Sequence, residues 1–198
     1  MSPQEIRNTL IERTISVIAS EGLDKTTTKA IVTGTGINEA YIYRNFSDKE
    51  DLLAKTFDSL DEELLSVVVS NLSVMYSQER SYRERCRVYF SAVWDFLLGN
   101  REKCLAFIRY YYSPYFKKNS AKIHKHRFRP LAEEFAAAFK VEANVWMLMN
   151  HMMNTMLDFA VKIFNDEVSD NEDTEEHVFR LVYHSMVPYF RQTIPAGA

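Results

Sequence analysis

Glycine and proline are scarce, five of each in 198 residues, which argues against a turn-rich all-β fold and favours long helices. Cysteine is scarcer still. Cys86 and Cys104 are the only two, and no CxxC or HExxH spacing suggests a metal site. A reducing cytoplasm is the expected setting, with a disulfide between them as the second reading. No apolar run approaches the roughly 20 residues of a membrane span. The opening MSPQEIRNTL lacks the basic start and apolar stretch of a signal peptide. Catalytic patterns are missing too: there is no nucleophile elbow, phosphate loop, metal triad or acid–base pair at motif spacing. Neither an enzyme nor a bound cofactor is expected.

A surplus of positive charge is also absent. The net charge is −3, so nucleic-acid binding cannot be argued from bulk charge and must rest on geometry and individual residues. The distribution is uneven. Residues 1–50 hold six basic and seven acidic side chains, residues 80–129 hold 13 basic and 3 acidic, and residues 130–198 hold 4 basic and 11 acidic.

What is present is apolar content, 46 %, enough for a globular core, and clear helix punctuation. Ser2-Pro3-Gln4-Glu5 reads as a capping box with proline at the first helical position. Behind it Ile6, Leu10, Ile11, Ile15 and Ile18 share one face, and Gly22 suits a left-handed stop. Ser47-Asp48-Lys49-Glu50 reads as a second box, opening a helix over 48–75 with the stripe Leu52, Leu53, Phe57, Leu60, Leu64 and Val68. Ser81 to Glu84 reads as a third, followed by Cys86, Tyr89, Phe90, Val93, Trp94 and Leu97. Gly99-Asn100 ends that helix and caps the next, about 101–112, which Ser113-Pro114 stops. A basic helix over about 119–139 should kink or break at Pro130. Residues 142–165 are apolar on more than one face, as in a helix buried on several sides. A last helix over about 174–192 takes Asp173 to Glu176 as its cap and has Pro188 near its end. This makes an all-α protein of about nine helices.

Between the first and fourth helices lie two short ones. Thr27 caps Thr28 to Thr33, Gly34-Thr35-Gly36 turns tightly, and Asn38 caps a helix over about 39–45. Two short helices joined by a glycine-containing turn form a helix-turn-helix, whose second helix enters the major groove while the first braces it. Ile31, Val32, Ile37, Ile42 and Phe46 would be its core. Asn38, Glu39, Tyr41, Arg44 and Asn45 would then face outward.

The runs Gly22-Leu23-Asp24-Lys25-Thr26-Thr27-Thr28-Lys29-Ala30-Ile31-Val32, Gly36-Ile37-Asn38-Glu39-Ala40-Tyr41-Ile42-Tyr43-Arg44-Asn45-Phe46 and Ser47-Asp48-Lys49-Glu50-Asp51-Leu52 resemble the N-terminal domain of TetR transcriptional regulators. The resemblance covers residues 6–55, about a quarter of the chain. It implies an N-terminal DNA-binding domain, 1–46, continuing into the helix at 48–75, and a helical ligand-binding and dimerisation domain, 47–198.

By position it makes Thr28 a phosphate partner through its hydroxyl and backbone amide, and Lys29 a phosphate or base-edge candidate. Asn38, Glu39, Ala40 and Tyr41 occupy the base-facing turn. Tyr43 and Lys49 match residues that meet the DNA backbone, with a core aromatic and a solvated lysine as the plainer alternatives. Arg44 suits a surface or phosphate role, and Asn45 is a weaker contact. Two positions depart from the family pattern. Ala40 replaces the common glycine, and Glu39 puts an acid where lysine or a neutral residue is usual. An acid can accept from cytosine N4 but is repelled by phosphate, so modest non-specific affinity is expected.

For the remainder, the resemblance implies a homodimer built on the last two helices, with Met153, Leu157, Val161, Val182, Met186 and Phe190 as candidates. It also implies a pocket for a small-molecule effector, hydrophobic or amphipathic and in one reading anionic. The aromatic-rich middle helices supply Phe90, Trp94, Phe107, Tyr110 and Tyr111, with Trp146, Met149 and Met153 opposite, and Arg109 and Arg127 as clamps for an acid. A filled core is the alternative for each aromatic, and a solvated face for the basic run. The function expected is a cytoplasmic, ligand-responsive DNA-binding regulator. It would repress by holding a palindromic double-stranded operator as a dimer until an effector releases it. The competing reading is an architectural or adaptor protein of the same fold that needs no effector.

Overall fold

The structure is a computed structural model, and it describes residues 1–191. Among these residues there are nine α-helices and no strand: α1 Pro3–Glu21, α2 Thr28–Val32, α3 Ala40–Asn45, α4 Lys49–Ser70, α5 Tyr82–Gly99, α6 Arg101–Tyr111, α7 Ala121–Ala136, α8 Val145–Phe164 and α9 Glu172–Met186. Short helical turns at Leu72–Tyr76, Phe116–Ser120 and Val187–Tyr189 fill connections. None of the described helices is long and apolar enough to cross a membrane.

The caps account for most of the helix starts. Both bonds of the Ser2/Glu5 capping box form, and so do both bonds between Ser81 and Glu84. The expected box at Ser47 is displaced by one residue. The Asp48 carboxylate accepts from Asp51 N–H at 2.8 Å, and Asp51 accepts from the Ser47 amide at 2.9 Å. Glu50 is drawn away instead, accepting from the Lys118 ammonium at 2.7 Å. Asn171, and not Asp173, caps α9 by accepting from Thr174 N–H. Helix α4 stops at Ser70, and Pro130 lies inside α7, which continues through it to Ala136.

The chain forms two compact units. The first joins Met1–Leu64 to Asn100–His126, and the second joins Leu65–Gly99 to the chain from Arg127 onward. The division differs from a boundary at 46/47, because α6 packs along α1. In the first unit, Arg109 donates to the Ile18 and Ala19 carbonyls at 2.6 and 2.8 Å. It thereby satisfies acceptors that a helix C-terminus leaves open, at an end whose last turn carries no basic residue of its own. Phe57 centres an aromatic core with Phe107, Tyr110 and Phe116. Beside it the buried Asp61 carboxylate meets His124 Nδ1 at 2.7 Å. In the second unit α5, α8 and α9 pack on one another.

Four side chains of the cationic segment pair with acids within their own unit. Arg83 and Arg87 pair with Glu175 and Glu176 in the second. Lys103 pairs with Glu63 and Lys118 with Glu50 in the first.

Candidate nucleic-acid interface

Helices α2 and α3 rest on a small core of Leu10, Ile31, Ile37, Ile42, Phe46 and Leu52. The sequence-derived core is there, with Val32 half-buried at its edge and Leu10 and Leu52 added from α1 and α4. Thr27 caps α2 by accepting from Ala30 N–H at 3.1 Å. The turn between the helices has Gly34 and Gly36 at φ 79° and 72°, a region that glycine enters without steric cost. The carboxamide of Asn38 accepts from Ala40 N–H at 3.1 Å and so starts α3.

Two arginines of α1, neither singled out from the sequence, hold this pair of helices. Arg7 donates to the Asn45 carbonyl at 2.8 Å, and its guanidinium sits 4.3 Å from the centroid of the Phe46 ring. Arg13 donates to the Thr33 carbonyl at 3.3 Å. Each closes the C-terminal end of one short helix, where carbonyls lack intrahelical donors. The available signal was their spacing on the polar side of the α1 stripe, but nothing in that spacing named their partners.

The candidate contact residues fall into two groups. Tyr43 has 59 % of its surface exposed, so it is not a core aromatic. Lys29, Asn38, Glu39, Ala40 and Arg44 are exposed as well, and Lys49 is half-buried on the first turn of α4. The others are partly occupied within the chain. Tyr41 leans on the core with the Arg44 guanidinium 5.0 Å from its ring centroid. Asn45 is half-buried and donates to the Tyr41 carbonyl at 2.7 Å, which leaves it poorly placed to read a base. The Thr28 hydroxyl donates to the Glu39 carboxylate. Two residues assigned separately to DNA thus hold each other across the turn, and that bond must be exchanged if Thr28 is to meet a phosphate.

In the second unit, residues of α5, α7, α8, α9 and the flanking turns line an apolar cavity that is partly open to solvent. Of the expected ligand residues, Phe90 and Met149 line it. Trp94 is buried against Phe90, and Arg127, Trp146 and Met153 are not among the lining residues. Phe107, Arg109, Tyr110 and Tyr111 belong to the first unit, and Arg109 is engaged there as the cap of α1. The sequence reading missed Met75, Phe135, Phe139, Phe179 and Phe190. The i, i+4 pair Phe179 and Tyr183 on α9 was the one legible hint of them.

The residues expected at a dimer contact are placed as follows in the single chain. Leu157, Val182 and Met186 are buried within the single chain, Val182, Met186 and Phe190 line the cavity, and Met153 and Val161 are half-buried. The apolar side chains exposed on the last two helices and the following turn are Met147, Leu181, Val187 and Tyr189.

Comparison with known proteins agrees with this geometry. Residues 10–56 match the family model described as bacterial regulatory proteins, tetR family. A TetR family transcription regulator from Marinobacter aquaeolei VT8 superposes with a TM-score of 0.74 at 16 % identity, covering 92 % of this chain and 95 % of that one. A TetR-family regulator from Syntrophomonas wolfei gives 0.70 at 14 % identity, covering 98 % and 99 %. The fatty acid degradation regulator FadR from Bacillus halodurans gives 0.66 at 16 % identity, covering 92 % and 95 %. At such identities the likeness establishes the fold. No curated protein matches the chain. The class defined by the N-terminal domain and the all-α fold is that of helix-turn-helix DNA-binding regulators. Residues 10–56 are similar to the N-terminal domain of the TetR family of bacterial regulators, and the whole chain shares the fold of solved proteins described as its members.

Proposed function

We propose that this protein is a ligand-responsive repressor that binds a palindromic operator as a homodimer and leaves it when a small molecule enters the cavity of the second unit. The observation that carries the DNA-reading part is Tyr43, an aromatic left 59 % exposed on a six-residue helix whose opposite face is buried. An aromatic with a polar tip beside exposed Lys29 and Arg44 suits contact with phosphate and groove edge. Dimerisation is supported by Met147 and Leu181, exposed at 65 % and 55 % on the last two helices, since apolar side chains exposed there suit a self-complementary contact. A two-fold dimer matches a palindrome because each reading helix then meets its own half-site.

The test is a titration of the protein against DNA from upstream of its own gene. Tyr43→Ala and Lys49→Ala should each weaken the complex about tenfold or more, the scale of one or two lost phosphate contacts, with helicity and melting unchanged. Wild-type affinity in both variants would refute the assignment of the reading surface.

A further inference from the structure

Tyr89 on α5 lines the cavity of the second unit. It is only 5 % exposed, and its hydroxyl is buried without a hydrogen-bond partner. Its ring is fixed edge-on against Phe135, with centroids 6.0 Å apart. A buried donor left unpaired is costly, and native structures retain such groups where a partner arrives from outside the chain. The rest of the wall is almost wholly aromatic, aliphatic or thioether, and no Lys, Arg, Asp or Glu is among the lining residues.

We infer that this cavity binds a neutral, largely hydrocarbon molecule carrying one oxygen acceptor, such as a ketone or an alcohol, with that oxygen accepting from the Tyr89 hydroxyl. The inference rests on the effector reading above for the purpose of the site, but the chemistry of the site stands by itself. Burial first, and the Glu134 carboxylate second, keep the Tyr89 phenol protonated and therefore a donor. Glu134 itself is held by the Tyr76 hydroxyl. An anionic head group at Tyr89 would lie in the field of that carboxylate with no cation in the wall to offset it. The α5 arginines stand behind the wall and not in it: Arg87 pairs with Glu175 and Glu176, and Arg85 donates to the Met75 carbonyl, with its guanidinium 5.4 Å from the centroid of the Tyr82 ring and its Nε without a partner. The structure therefore favours a neutral ligand over the acid considered from the sequence. Met149 and Met152 in the wall allow it to re-pack around chains of different shape.

The experiment is calorimetric titration of the full chain with a methyl ketone and a carboxylate of the same length, about ten carbons, a size suited to a small-molecule pocket. The ketone should bind saturably, one per chain, and the carboxylate roughly tenfold or more weaker, because its charge is left unpaired in an apolar wall. Tyr89→Phe, which keeps the ring, should weaken the ketone by roughly fivefold to tenfold, the scale of one hydrogen bond. Protection of the Cys86 thiol from alkylation in a Cys104→Ser background would place the ligand in this cavity, since Cys86 lines it.

Equal or tighter binding of the carboxylate, or an unchanged ketone affinity in Tyr89→Phe, would overturn the inference. The wild-type selectivity decides the matter even if the variant fails to fold. Ketone binding through Tyr89 with unaltered operator affinity would support the ligand class and refute only the release of DNA by that ligand.

Discussion

Tyr43 and Tyr89 carry the same side chain in opposite settings. Tyr43 sits in the first unit with more than half of its surface in water, on a short helix whose other face is buried. Tyr89 sits in the second unit, nearly buried, with its hydroxyl unpartnered beside a cavity. On the proposed function, one unit works through what a small core leaves outside, and the other through what a core fails to fill. Variants at the first kind of site should change binding without changing stability, whereas variants in the supporting core should change both.

The sharpest way to break that contrast is to remove the floor beneath the reading helix. Ile42 is fully buried between α1 and α4, and Ile42→Ala should destabilise by about 2–5 kcal/mol, the cost of a cavity in a tight core. Thermal melting followed at the N-terminal unit and DNA titration should fall together. Loss of DNA binding without loss of stability would mean that Ile42 itself contacts DNA.

Next is Arg7. Replacing it with alanine removes a hydrogen bond to the end of α3 and a cation–π contact with Phe46, together about 1–2 kcal/mol. A denaturation midpoint equal to wild type would show that the clasp contributes nothing in solution.

Glu39→Gln should then raise affinity for unrelated DNA a few-fold, because it removes a negative charge from the groove-facing turn. It should also weaken the bond that holds Thr28. Titration against a sequence without the operator measures this, and a fall in affinity would contradict it.

The last expected effect is on pH. Burial pushes the Cys86 thiol up to about 11 and the Cys104 thiol up to about 12, from an ordinary 9.0. The unfolded chain releases these protons first, so their contribution to stability is complete below about pH 9 and is lost as pH climbs through the folded values. Chemical denaturation near pH 10 should show a lower midpoint than near pH 8, and Cys104→Ala should narrow the difference.

The arrangement of the proposed reading surface was largely legible from sequence because it is local. Thr27, the two turn glycines, Asn38, Tyr43 and Lys49 lie within two dozen residues, and spacing alone places them on caps, turn and outer face. Local spacing did not disclose that Glu39 would engage Thr28, or that Arg7 and Arg13 would close the ends of the two helices. The cavity was only half legible for the same reason in reverse. Its wall runs from Met75 to Phe190, whereas the aromatic density near residue 110 lies in the other unit. There Phe107 and Tyr110 fill the core around Phe57. The basic run at 80–129 could be read as a solvated face or as clamps for an acid, and sequence could not show that two of its arginines, Arg83 and Arg87, would meet Glu175 and Glu176. Helix stripes named the buried faces well, but they could not say which faces would meet imperfectly and leave a space.

The most direct test of the central claim is a hydroxyl-radical footprint on DNA from upstream of the gene. Two symmetric protected patches, one helical turn or a whole multiple of it apart, are predicted for wild type, and the Tyr43→Ala/Lys49→Ala double variant should lose both. Protection that is absent, uniform along the DNA, or unchanged in the double variant would contradict the account.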